Sequence, residues 1–153
     1  MRKSWLIPSI CISVLIGIFI GGYLFSGVQQ RSLLAFHHCE RTCLDQKELL
    51  GLIGAVLVQK IPGALPHMVL ETDKTVVIEH PRPLSDIHYV AIPKRDIHNA
   101  LSIQQEDIPY LIDIYASLQY LIDKEKLTKY TISTNGPGYQ MVDYLHFHLR
   151  AER

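Results

Sequence analysis

Charge is missing from the opening of this 153-residue chain: no Asp, Glu, Lys or Arg lies between Lys3 and Arg31. That absence argues against the buried core helix of a globular domain, since helices of that kind show a polar face and this one shows none. The segment Trp5 to Phe25 (WLIPSICISVLIGIFIGGYLF) is almost wholly apolar. At about 1.5 Å of rise per residue it is long enough to cross a hydrocarbon core of about 30 Å. A cleaved signal peptide has an apolar run of only ~7–15 residues ending at a small-residue site. Here the run is longer, and Tyr23-Leu24-Phe25-Ser26-Gly27 is a poor cleavage site. Cys11 sits in mid-span, which argues against a lipoprotein anchor. Residues 1–30 are therefore read as one uncleaved membrane anchor. Arg2, Lys3 and the α-amino group precede it, whereas Arg31 is the one nearby cation after it. The positive-inside tendency then favours an N-terminus in the cytoplasm and the remaining domain outside it, by one or two charges.

Cysteine is scarce, and there is no excess of either charge sign. Three cysteines do not make a disulfide framework. Cys39 and Cys43 suit either a disulfide in an oxidising compartment or two free thiols on a helix. Lys+Arg equals Asp+Glu at 15 each, so the chain lacks the basic field that holds nucleic acid by counterion release. Local groups remain able to bind a small anion. There is no internal repeat.

The pattern after the anchor divides into a juxtamembrane segment with a helix, residues 31–60, and one domain of ordinary size, residues 61–153. Leucines and other apolar residues at helical spacing predict a helix over Glu40–Gln59, ended by Pro62, Gly63 and Pro66. Met68–Leu70 and Thr75–Ile78 read as a strand pair around Thr72-Asp73-Lys74. His80-Pro81-Arg82-Pro83 is a rigid loop, and His88–Pro93 is a third strand. Ser102 and Gln105 suggest a capping box ahead of a helix running from about Gln105 to Lys124, with Pro109 in its first turn. Tyr130–Thr134 is a fourth strand, Asn135-Gly136-Pro137-Gly138 a turn, and Met141–Leu149 a fifth strand. Helix, hairpin, strand, helix and two strands make an α+β domain with a largely antiparallel sheet and packed helices.

Chemistry concentrates in Asn135–Leu149, NGPGYQMVDYLHFHL. Strand alternation places Leu145, Phe147 and Leu149 on a core face, and Tyr144, His146 and His148 on the other. Two imidazoles side by side offer nucleophile, base or proton donor near neutral pH. Gln140 adds an amide, and the glycine-bearing turn leaves backbone N–H groups free to approach an anion.

This stretch resembles the signature of the histidine-triad (HIT) family, an Asn and Gly turn followed by Q-x-V-x-H-φ-H-φ-H-φ. Asp86-Ile87-His88-Tyr89-Val90-Ala91-Ile92-Pro93-Lys94 is similar to that family's other recurring segment, and Ile61-Pro62 with its hairpin also falls in place. The resemblance covers about Ile61–Arg150. It implies attack by a histidine on the α-phosphorus of a nucleoside phosphate ester, anhydride or phosphoramidate, forming a nucleotidyl-histidine that water or a second substrate resolves. By position His146 is the nucleophile and His148 the contact to the phosphate oxygens. Gln140, Asn135 and Tyr144 fall among the substrate-binding positions, and His88 beside them in a supporting role. Pairing into a homodimer through the Gln105–Lys124 helix and the adjacent strand edge is also implied, as is the near-absence here of the C-terminal tail of some members.

The departures are informative. Tyr144 stands in place of the first histidine of the triad, and a phenol of pKa ~10 is no base at neutral pH. Asp96 stands where many members have a histidine that joins a cysteine pair in binding zinc. The joint loss argues against a zinc site of that kind, so no metal and no cofactor are expected. His37, His38, Cys39 and Cys43 form a separate metal-capable set, read as a juxtamembrane polar stretch. His80 takes the place of an acidic residue that grips ribose hydroxyls, a role open to Glu79 or Asp86 only through a loop shift. His98 reads as solvated in a turn.

The expectation is thus a membrane-anchored HIT-like nucleotide hydrolase. Its substrate would be a nucleoside phosphate ester, a phosphoramidate or a dinucleoside polyphosphate. The alternative is a degenerate HIT domain that binds a nucleotide or a protein without turnover. A third option, motivated by the anchor, is a pyrophosphatase for a nucleotide-activated lipid.

Overall fold

The computed structural model describes residues 6–33 and 44–153. Trp5, His37, His38, Cys39 and Cys43, on which parts of the sequence reading rest, lie outside the described residues. Helix α1 spans Leu6–Phe25, is apolar all round, and buries none of its length against the rest of the chain. It ends at Gly27, whose φ of +83° is the left-handed turn that a side chain would resist.

Helix α2, Gln46–Lys60, begins later than Glu40: Asp45 caps it, its carboxylate accepting the Lys47 and Glu48 N–H groups. The Asp45 N–H instead ties back to the Leu33 carbonyl at 2.9 Å, which keeps the entry extended. Strands β1 (Met68–Glu71) and β2 (Thr75–Glu79) form the expected hairpin, and β3 (Ile87–Pro93) follows. Helix α3 spans Ile108–Glu125, with Pro109 in its first turn as proline tolerates. The capping box lies one element further on than Ser102 and Gln105: Gln104 and Asp107 form it around a single 3₁₀ turn. Strands β4 (Thr131–Ser133) and β5 (Phe147–Ala151) complete an antiparallel sheet of order β1-β2-β3-β5-β4. The architecture is α+β, as the pattern predicts.

The fifth strand is the main departure. It starts at Phe147 and not at Met141. Residues 139–146 form an irregular loop because its polar backbone finds partners outside the sheet: the Leu145 N–H donates to the Ile97 carbonyl at 2.6 Å and the Asp143 N–H to the Lys47 carbonyl at 3.2 Å. Alternation holds within β5. Phe147 and Leu149 join Val77, Ala91, Ile114, Leu118 and Leu121 in the core beneath α3. His148 faces the other way, opposite Val90 in register. On that second face α2 and the sheet enclose a cleft of about 210 Å³.

Arg31, read from sequence as a flanking cation, is almost fully buried. Its guanidinium pairs with Asp96 and Asp143 and reaches Glu48 at 3.5 Å, while donating to the Asp143 carbonyl at 2.6 Å. The Gln29 N–H adds a bond to Asp96 at 2.8 Å. Burial pushes the Asp96 carboxyl up from its ordinary value, and the Gln29 N–H and Arg31 pull against it. The stretch leaving α1 is thereby strapped to the domain. Gly51 is what lets α2 approach: a Cβ there would collide with the Asp143 carbonyl and lie 2.6 Å from the Arg31 Nη1. Gly51→Ala is expected to cost about 1–3 kcal/mol, lowering the melting temperature of the detergent-solubilised chain by several degrees. An unchanged thermal transition contradicts this packing.

Candidate active site

His146 closes the loop before β5, and its Nδ1 lies 2.7 Å from the Tyr144 carbonyl. A carbonyl can only accept, so Nδ1 carries the proton and Nε2 keeps its lone pair. The carbonyl is itself fixed, because the Gln140 amide donates to it at 3.2 Å and to the His98 carbonyl at 3.1 Å. Gln140 is buried, so its nitrogen organises the loop instead of facing a phosphate. The Thr134 hydroxyl donates to the His146 carbonyl at 2.7 Å, pinning the loop to the end of β4.

His148 is fixed with the opposite polarity. A neutral His88 ring has one lone pair, sought by the Leu84 N–H at Nδ1 (3.2 Å) and by the Arg150 Nε–H at Nε2 (3.3 Å). The backbone donor is the fixed one of the two, which puts the lone pair on Nδ1 and the proton on Nε2. That Nε2 lies 2.9 Å from His148 Nδ1. The proton on His148 then sits on Nε2, a buried atom without a hydrogen-bond partner among the described residues. The His146 and His148 rings meet nearly at right angles with centroids 4.9 Å apart. One ring therefore presents a lone pair and its neighbour presents a hydrogen. His88 meets His148 through this contact, and its own tautomer fixes that of His148.

Tyr144 does not project beside the histidines. It is buried, and its hydroxyl donates to the Pro93 carbonyl at 2.7 Å. Burial, followed by the Asp96 charge, raises the phenol further above its ordinary value. Its part is structural, through its ring and its own carbonyl. Asn135 is half-buried at the turn and its amide bonds no other described residue. His98, read as solvated, is partly buried, with Nδ1 3.1 Å from Asp143, because its loop packs against the start of α2.

One residue escapes the sequence reading. Arg150, on the same face of β5 as His148, places Nε 3.3 Å from His88 Nε2, a nitrogen that carries the hydrogen in this tautomer, and so brings a cation but no hydrogen bond to the histidine cluster. Its two-residue offset from His148 was the available signal. His80 stacks flat on His88, centroids 4.2 Å apart and planes within 2°. His80, His88 and His148 bring ligand atoms within 4.8 Å of one another. Imidazole lone pairs lie in the ring plane, however, so two parallel rings do not converge on one ion unless one turns. Glu48, His98 and Asp143 form a second such group, and there the Arg31 guanidinium already supplies the positive charge.

Neither carboxylate shifts towards His80. Glu79 alternates onto the α3 side of β2, beside Tyr89, and Asp86 accepts the Arg153 N–H at 3.0 Å. The cleft beside His146 is walled by Val58, Leu65, Ile78, Val90, Ile92 and Val142.

Burial favours the neutral form of all three imidazoles, His88, His146 and His148. His148 is lowered to about 3, with the surrounding cations and rings adding to the burial. His88 is lowered to about 4 by burial, then by His80 and Arg150. His146 is lowered by burial, with the Tyr144 carbonyl opposing. Protonation would remove the His146 lone pair, so kcat/KM should stay level through about pH 6.5 and fall only at lower pH. A half-maximal point at or above that pH contradicts the assignment. Stability follows the same sign: as pH falls from about 6.5 to about 4, the unfolded chain takes up protons that His88 does not, so stability is lost through that window.

Residues 58–153 match the family described as scavenger mRNA decapping enzyme C-term binding. An uncharacterised HIT-like protein of Synechococcus elongatus is 29% identical over 105 residues, 67% of this chain and 90% of that protein. A HIT family hydrolase from Legionella pneumophila superposes with a TM-score of 0.58 at 25% identity, covering 63% of this chain and 91% of that one. A HIT family hydrolase from Clostridium thermocellum gives 0.56 at 27% identity, over 62% and 87%.

Proposed function

The chain belongs to the histidine-triad family, and from that premise we propose that it is a membrane-anchored nucleotide hydrolase working through a covalent intermediate on His146. The observation that carries this reading is the opposed polarity of two neutral imidazoles. His146 Nε2 is a free lone pair, and His148 Nε2–H is a buried donor with no partner among the described residues. A phosphoryl group between them meets both needs at once. Nε2 of His146 attacks the phosphorus, the P–N bond forms, and the bond to the leaving group breaks, its electron pair departing with that group. His148 donates to a phosphoryl oxygen as charge builds on it. Water then attacks the same phosphorus and returns His146 to its starting state. The test is nucleotide release by the full chain in detergent, from adenosine and guanosine phosphoramidates, dinucleoside polyphosphates and nucleotide-activated lipid, beside His146→Ala. The binding-only alternative, motivated by Tyr144, Asp96 and His80, keeps its function in that variant.

We read α1 as the anchor because it has the length of a span and leaves its apolar side chains uncovered by protein. A homodimer is proposed through α3 and the open edge of β4, since Ile108, Ile112 and Tyr115 lie exposed on one stripe of α3. Ile112→Glu should halve the particle mass measured by light scattering in detergent. Wild-type protein that is already monomeric contradicts the dimer.

A further inference from the structure

We propose that the cleft beside His146 takes the hydrocarbon part of a membrane-resident nucleotide-activated lipid, so that the phosphorus attacked is the one esterified to the lipid and the nucleotide leaves. This rests on the hydrolase reading above and names its substrate.

The first support is what the cleft is made of. A ribose brings hydroxyl donors that lose water on burial and need acceptors in return. Among the described residues no carboxylate faces the cleft: Glu79 lies across the sheet, and Asp86 is held by the Arg153 N–H. The Tyr144 hydroxyl is spent on Pro93, and His80 Nδ1 accepts the Arg82 N–H at 3.1 Å. Among the described residues, the His146 nitrogen that must attack is the one side-chain acceptor left open there. The walls are otherwise six aliphatic side chains around about 210 Å³. Such a cleft favours alkyl chain over sugar, at about fourfold in affinity for each methylene buried.

The second support is where the cleft lies. One helix, α2, is both its wall and the bracket of the anchor. Lys60 Nζ donates to the Ser26 hydroxyl at 2.8 Å and lies 5.0 Å from the Tyr23 ring centroid, and Gln59 donates to the Gly27 carbonyl at 3.4 Å. Gly54 and Val58 of the same helix line the cleft. Val58 is two residues from Lys60, about 3 Å along the axis. Tyr23 and Lys60 are residue types that settle at the bilayer interface, and Ile61 beside them is exposed. The Arg31 strap then prevents the domain from swinging away. The nucleophile is thus held at headgroup height with an apolar slot beside it.

The step balances simply. His146 Nε2 bonds to the lipid-side phosphorus, the P–O–P bridge breaks, and the nucleoside monophosphate leaves with the bridging oxygen. Water then cleaves the P–N bond and releases lipid phosphate.

The experiment uses the full chain in phosphatidylcholine vesicles and in detergent, with CDP-diacylglycerol, its short-chain soluble form, CDP-glycerol and diadenosine tetraphosphate. The expected result is kcat/KM for both acylated substrates at least about 100-fold above that for CDP-glycerol, the gain of about four buried methylenes. The denatured intermediate should carry a phosphatidyl mass on His146. His80→Asp, which gives the cleft a carboxylate, should narrow the acyl preference at least tenfold. Equal rates on CDP-glycerol or diadenosine tetraphosphate, or a nucleotidyl mass on His146, would overturn the lipid assignment while leaving the hydrolase standing. Absence of turnover and adduct on every substrate, in protein with a cooperative melt, would overturn both.

Discussion

His146→Ala should lose at least about 10³-fold in turnover while keeping its fold, because the step it removes has no substitute in the site. His148 stands 4.9 Å away, centroid to centroid, but its Nδ1 is committed to His88 and its Nε2 carries the hydrogen. To act as a nucleophile it would have to reverse a tautomer that the Leu84 N–H enforces. His146→Ala should also melt within a few degrees of wild type, since its ring makes one hydrogen bond, to the Tyr144 carbonyl. His148→Gln, which keeps a donor, should retain more activity than His148→Ala. A His146→Ala protein with a tenth or more of wild-type turnover would sink the covalent mechanism.

Arg31→Ala should be the most damaging substitution for stability. Arg31 and Asp96 are both almost fully buried, and the guanidinium also holds Asp143 by its side chain and its carbonyl. Removing one partner of a buried pair leaves an unpaired charge and typically costs about 3–5 kcal/mol. At about 2–4 °C per kcal/mol for a chain of this size, the melting temperature falls by roughly 10 °C. Activity should fall as well, because Asp143 belongs to the loop whose Tyr144 carbonyl aims His146. Arg31→Lys keeps the charge but not the planar fork, and should recover only part of the loss. Thermal unfolding of the solubilised chain measures all of these, and a shift under about 2 °C for Arg31→Ala refutes the strap.

Much of this was legible in the residues. The apolar alternation Phe147, Leu149 named the core face of β5, and so placed His148 opposite it. The two-turn punctuation around Pro62 and Gly136 separated the elements correctly. Misplacing the start of β5 at Met141 had one cause: Tyr144, Leu145 and His146 continue the alternation into Phe147 by side-chain type, while the backbone of Asp143, Tyr144 and Leu145 is held by Lys47, Gln140 and Ile97 from outside the sheet. No local pattern reports such partners. Tyr144 went astray for the same reason, since its face was inferred from a strand that is not there. Arg31 looked like a topogenic charge because its partners, Asp96 and Asp143, are 65 and 112 residues away. The tautomer of His148 was equally out of reach, for it depends on a backbone N–H meeting a histidine from another strand.

The most direct test of the central claim is the mass of His146 itself during turnover. Full-length protein mixed with substrate is quenched within milliseconds in neutral denaturant, digested and weighed. A phosphorus-linked adduct should appear on the peptide carrying His146 before product does, and be absent from His146→Ala. Product formed with no adduct at any time, or an adduct on His148 instead, would contradict that claim.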